Sequence, residues 1–256
     1  MGALIRDILP FGAFAFLLVF ARVGALIMML PGIGENYVSV SIRLTLALAV
    51  SFVIMLPLAP SLPDAPTQLT RLLWMISSEV AIGVFIGFSC RILMTALATA
   101  GNIIGMQTGL SFAQFYDPAQ ASQSALVSAF LSIFGLFFVF TGDLHLVMLR
   151  AVADSYQLFP PVRMLPPGDF AQLAARAVAD SWFLGIQFAG PFIIYGMIFA
   201  VGQGVLGRLM PQIQITYITQ PIQILGGLFV MATTLGLVGS YFVGHLEDHL
   251  SHFLVR

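Results

Sequence analysis

Long apolar runs alternate with short, turn-rich connections along the chain. A helix needs roughly 20 apolar residues to cross a bilayer. Six runs are candidate spans, over residues 11–30, 44–58, 72–105, 125–149, 174–207 and 222–242. The first stops at Pro31-Gly32, and the second runs into a connection carrying Pro57, Pro60, Pro63 and Pro66. The runs at 72–105 and 174–207 are long enough to tilt or to pass beyond the bilayer, and Pro191 predicts a kink in the latter. The expected fold class is therefore all-α: a polytopic membrane protein of about six long, partly kinked helices in hairpins. No internal repeat is visible, and a single domain over 1–256 is expected.

Three connections carry further pattern. Residues 155–169 contain Pro160-Pro161 and Pro166-Pro167-Gly168, which stop helices. Residues 109–124 mix small and polar side chains with Phe112, Phe115 and Tyr116. Between Pro211 and Pro221 the residues Gln212, Ile213, Gln214, Ile215, Thr216 and Tyr217 alternate with period two, which predicts extended backbone. Extended backbone cannot face lipid, because its amides would go unpaired. The stretch is therefore expected in water or against protein, as the polar tip (Pro211, Gln212, Pro221) of a hairpin made by 174–207 and 222–242.

Composition narrows the class. Hydrophobic residues make up 59% and charged residues 8% of the 256, against about 25% charged in soluble domains. Lipid or other subunits must cover most of such a surface. All ten basic residues are arginine and the net charge is −1, which gives no basic patch for nucleic acid. Cys90, alone in an apolar run, cannot form an internal disulfide and reads as a small buried hydrophobe. The N-terminal run is too long for a signal peptide and contains Arg22, so it reads as a retained first membrane helix.

Four charges interrupt the apolar runs: Arg22, Glu79, Arg91 and Asp143. Each costs about 2.5–3.5 kcal/mol at a bilayer centre. Either they line an ion or proton pathway, as in a secondary transporter, or they pair internally or sit near helix ends. Glu79 and Arg91 are twelve residues apart, so a partner for either lies on another helix. Gly83 and Gly87, and then Gly101, Gly105 and Gly109, recur every four residues and mark faces for close helix packing, within the chain or with another subunit. Gly202, Gly204 and Gly207 match the dinucleotide-binding spacing, but they end an apolar helix and lack the preceding strand. His245 and His249 share a helical face and suggest a metal site or a solvated helix end. His145 with a serine such as Ser132 is a pair a membrane hydrolase could use, and no specific motif supports it. No enzyme activity, cofactor or metal is expected.

The stretch 101–118, GNIIGMQTGLSFAQFYDP, is the most informative. A glycine-faced helix runs into a connection that is not simply hydrophilic. Such a segment is expected to be buried in protein or to line a cavity. It reads as a movable plug filled by Phe112 and Phe115, or as an ordinary connection anchored by aromatics.

GMQTGLSFAQFYDP closely resembles the signature of the FliR family of flagellar export proteins and its virulence type III secretion relatives. FARVGALIMMLPGIGE followed by IRLTLALAV agrees, as do TGDLHLVML and GRLMPQIQITYITQPIQILGG. The wording GLSFAQFYDP leans flagellar. The resemblance covers nearly the whole chain in order. The run after Pro211-Gln212 departs from it, with Gln214, Thr216 and Gln220-Pro221 where the family carries an asparagine and aromatics. The resemblance implies a structural channel subunit of the export gate in the bacterial inner membrane at the flagellar basal body. It would assemble with FliP and FliQ, with FlhB and FlhA docking on the assembly, and unfolded export substrates would pass. It also implies a FliP-like part over 1–155 and a FliQ-like hairpin over 170–244. The plug or gate would then be built from Met106, Gln107, Gly109, Leu110, Ser111, Phe112, Phe115, Asp117 and Pro118, with the glycine row packed on neighbouring subunits. Part of the apolar surface would sit outside the bilayer, so hydropathy overstates the true spans. Arginine placement in the loops puts both termini in the cytoplasm, whereas the resemblance puts the hairpin tip near Arg208 there. The resemblance is preferred.

Overall fold

The computed structural model describes residues 2–111, 126–161 and 167–251. Among them are seven α-helices and no strand. They are α1 (Gly2–Met29), α2 (Val40–Leu58), α3 (Leu69–Gln107), α4 (Leu126–Thr141), α5 (Leu144–Leu158), α6 (Pro167–Leu209) and α7 (Ile215–Ser251). Five helices are long and apolar enough to cross a membrane, or up to six if α4 and α5 form one bent span. The all-α polytopic class read from the sequence is what the chain adopts.

Local chemistry sets the breaks. Gly32 takes φ +85°, a conformation that costs other residues about 1–2 kcal/mol, and so turns the chain after α1. Ser39 caps α2 by accepting the Ile42 N–H at 3.4 Å. α3 then spans 39 residues, about 58 Å at 1.5 Å per residue, and so exceeds the roughly 40–45 Å of a whole bilayer. The same holds for α6 and α7, with 43 and 37 residues.

Two expectations are corrected. The run at 125–149 is not one helix: it breaks after Thr141, and a second helix starts at Leu144. Asp143 at the break sits at φ 55°, ψ 17°, a left-handed conformation that Asp tolerates better than most residues. Residues 211–221 are not extended. Met210 to Ile213 form a turn, and α7 begins at Ile215 with Pro221 inside it. Proline removes one backbone donor, and the remaining turns carry the helix through. α6 likewise continues through Pro191 without a break.

The chain divides into two compact units, Met1–Ile92 with Asp143–Ala177 and Glu247–Arg256, and Leu93–Gly142 with Val178–Leu246. In the first, α1 and the front of α3 pack in parallel. Phe14 and Leu18 meet Met75, and Ala25 and Leu26 lie against Gly83 and Gly87. In the second, the end of α3 packs antiparallel to α4, through Gly101 on Ser128 and Leu97 on Gly135. It also packs beside α6, through Gly185 on Ala96. The α6–α7 hairpin opens into a groove of about 670 Å³ lined by Phe188, Pro191, Leu237 and Tyr241. Only 11% of the α7 span and 17% of the α2 span is buried by the chain itself, against 61% for α3. α3 is thus the internal post, while α2 and α7 leave apolar faces for something else to cover.

Candidate functional site: a buried arginine and the exit of α3

Arg22 on α1 is fully buried. Its Nε donates to Glu79 Oε2 on α3 at 2.7 Å. Nη1 donates to Ser155 Oγ at 3.3 Å, and Nη2 to the Phe159 carbonyl at 3.0 Å. The guanidinium carbon lies 3.9 Å from the centre of the Tyr156 ring. Phe159 caps the C-terminus of α5, where carbonyls lack helical partners and the dipole favours a cation. One arginine thereby ties three helices together. Close approach is possible because Gly83 faces the Arg22 carbonyl, where a Cβ would collide. Arg91 pairs with Glu35 at 3.6 Å, with side chains 40% and 33% exposed, in a weaker surface setting. Arg22 and Glu79 therefore engage each other, and their chemistry here is that of a structural cross-link.

The second constellation lies at the exit of α3. Gln107 is its last residue, and Gly109 follows at φ +78°, which turns the chain sharply. Ser111 N–H returns to the Gly105 carbonyl at 3.1 Å, and Thr108 Oγ1 donates to the Ile104 carbonyl at 2.8 Å. The α6–α7 hairpin grips this turn. Gln223 Nε2 donates to the Gln107 carbonyl at 2.8 Å, and Tyr195 Oη donates to the Gln223 carbonyl at 2.7 Å. Gly196 lies against the Gln107 side chain and Gly227 against Thr108, and a Cβ at either would collide. Further along the hairpin, Gln203 Nε2 donates to Thr219 Oγ1 at 2.7 Å.

Of the residues singled out from the sequence, Gln107, Gly109 and Ser111 meet in this turn, beside Gly105, and Met106 is largely exposed on it. Leu110 is half-buried within it. Phe112, Phe115, Asp117 and Pro118 lie outside the described residues. Gly83 and Gly87 pack on α1, and Gly101 on α4. Pro211 and Gln212 form the exposed turn between α6 and α7. Gly202, Gly204 and Gly207 lie within continuous α6, with open space where a Cβ would go. Ser132 donates its hydroxyl to the Ser128 carbonyl at 2.8 Å. No group of three or more potential ligands that could hold a metal occurs among the described residues. Tyr195 and Gln223 escaped the sequence reading. For Gln223 the available signal is the four-residue spacing Thr219, Gln223, Gly227 on one face of α7.

Comparison with known proteins gives the chain's family. The sequence model of the family described as Bacterial export proteins, family 1, matches residues 13–249. The chain belongs to that family. It is 38% identical over 243 residues to the flagellar biosynthetic protein FliR of Caulobacter vibrioides, covering 95% of this chain and 97% of that protein. It is 32% identical to the FliR protein of Escherichia coli K12, covering 91% and 88%, and 25% identical to that of Bacillus subtilis, covering 86% and 84%. The family is one of structural export components rather than enzymes, and the chain is a membrane protein of the flagellar export apparatus.

Proposed function

We propose that the chain is a structural channel and gate subunit of the flagellar export apparatus. It assembles with FliP and FliQ in the bacterial inner membrane at the flagellar basal body. FlhB and FlhA dock on that assembly, and unfolded export substrates pass through it. The observation that carries this reading is the exit of α3, gripped by the α6–α7 hairpin through Gln223 and Tyr195. Phe112, Phe115, Asp117 and Pro118 follow that exit in the sequence and serve as the plug, with Met106, Gln107, Gly109, Leu110 and Ser111 as its stem. The apolar faces that α2 and α7 leave uncovered by the chain itself are open to lipid and to neighbouring subunits, as a subunit of a membrane assembly requires.

The test is deletion of 109–120 in the chain expressed with its partner membrane proteins, followed by measurement of ion leak across the membrane. A rise in leak above wild type supports the gate. An unchanged leak, with the deleted chain still in the membrane complex, sinks it.

A further inference from the structure

We infer that Gln223 is a positioning residue that latches the exit turn of α3 to the α6–α7 hairpin, so that the hairpin governs where the turn points. The inference rests on the gate reading for its functional meaning. Its geometry stands on described residues alone.

Three observations support the latch. First, Gln223 reaches the Gln107 carbonyl at 2.8 Å. That carbonyl lies in the last turn of α3, where carbonyls lose their intrahelical donors. The side-chain amide supplies a donor from another helix. Second, the latch is itself braced. Tyr195 on α6 donates to the Gln223 carbonyl at 2.7 Å, so the backbone that carries the glutamine is fixed by the second arm of the hairpin. Third, the hairpin packs tightly on the turn at Gly227, where a Cβ would collide with Thr108, while the Gln223 side-chain amide lies in ordinary contact range of Gly109. Any larger residue at Gly227 would push the hairpin off the turn. Gln223 is half-buried, and a polar side chain taken out of water is costly unless its bonds are made. Making the bond to Gln107 therefore couples two segments 116 residues apart in sequence. Movement of α7 is transmitted to the turn, and loss of the amide donor frees the turn while leaving both helices in place.

The test uses the assembled membrane complex carrying Cys90→Ser and Ser111→Cys as a thiol reporter at the turn. Gln223→Met keeps the length of the side chain and removes its donor. The latch predicts a roughly fivefold faster maleimide labelling of the reporter, the equivalent of about 1 kcal/mol for one hydrogen bond. Tyr195→Phe, which removes a single oxygen, moves labelling in the same direction. It decides the matter if Gln223→Met fails to assemble. Labelling unchanged in an assembled Gln223→Met complex, or unchanged in Tyr195→Phe when Gln223→Met does not assemble, overturns the latch. Ion leak is recorded on the same complexes beside the 109–120 deletion. Faster labelling with no leak from either the variant or the deletion leaves the latch standing and removes the gate. Leak from the deletion with unchanged labelling in the assembled variant keeps the gate and removes the latch.

Discussion

Replacing Arg22 with methionine is the sharpest perturbation of the fold. The guanidinium is fully buried and holds Glu79 at 2.7 Å, Ser155 at 3.3 Å and the Phe159 carbonyl at 3.0 Å. Its loss leaves the Glu79 carboxylate buried without its cation, and the α5 terminus without its donor. Removing one partner of a buried pair costs about 3–5 kcal/mol. In a chain of this size, that lowers the melting temperature by roughly 6–20 °C. The pair itself need not be favourable, because the desolvation of both charges opposes their attraction. Arg22→Met with Glu79→Leu removes the stranded charge and should therefore regain most of the loss. The assay is thermal unfolding of the detergent-solubilised complex for wild type, each single variant and the double variant. A single Arg22→Met variant that melts with wild type would refute the cross-link. So would a double variant less stable than Arg22→Met.

Other substitutions separate close packing from open space. Gly83→Ala drives a Cβ into the Arg22 carbonyl and should lower stability by about 1–3 kcal/mol. Gly202→Ala, which meets nothing within 4 Å, should leave melting unchanged or slightly raised. Asp143→Val forces a β-branched residue into a left-handed conformation and should cost about 1–2 kcal/mol, whereas Asp143→Gly should be tolerated; both are read by melting temperature. Arg91→Ala breaks a partly exposed pair and should change stability by no more than about 1 kcal/mol.

Apolar run length made most of the helices legible in the sequence, because a span of hydrocarbon demands it. Ends were less legible. α7 extends to Ser251 through Glu247, Asp248 and His249, since a helix continues into polar sequence when nothing stops it. The break at Gly142-Asp143 fell inside a run read as one helix; Asp143 was seen as an interrupting charge, and its left-handed backbone shows it to be a break. The charge positions showed that Glu79 needed a partner on another helix, but naming Arg22 as that partner required the parallel packing of α1 and α3. The alternation around Gln214 and Thr216 mimicked a strand, but Met210 to Ile213 close a turn and α7 begins at Ile215, so the alternating residues are split between a turn and a helix start. Gln223 lay inside the expected helix 222–242 and still went unnoticed, because its partner Gln107 is 116 residues away and leaves no local trace.

The central claim is that this chain works only as part of a hetero-oligomeric export gate. The most direct measurement is mild-detergent affinity purification of the tagged chain from its own host, with mass spectrometry of what accompanies it. The account predicts recovery of the small polytopic partners FliP and FliQ, covering the apolar faces of α2 and α7. Recovery of the chain alone, monodisperse and folded, would contradict it.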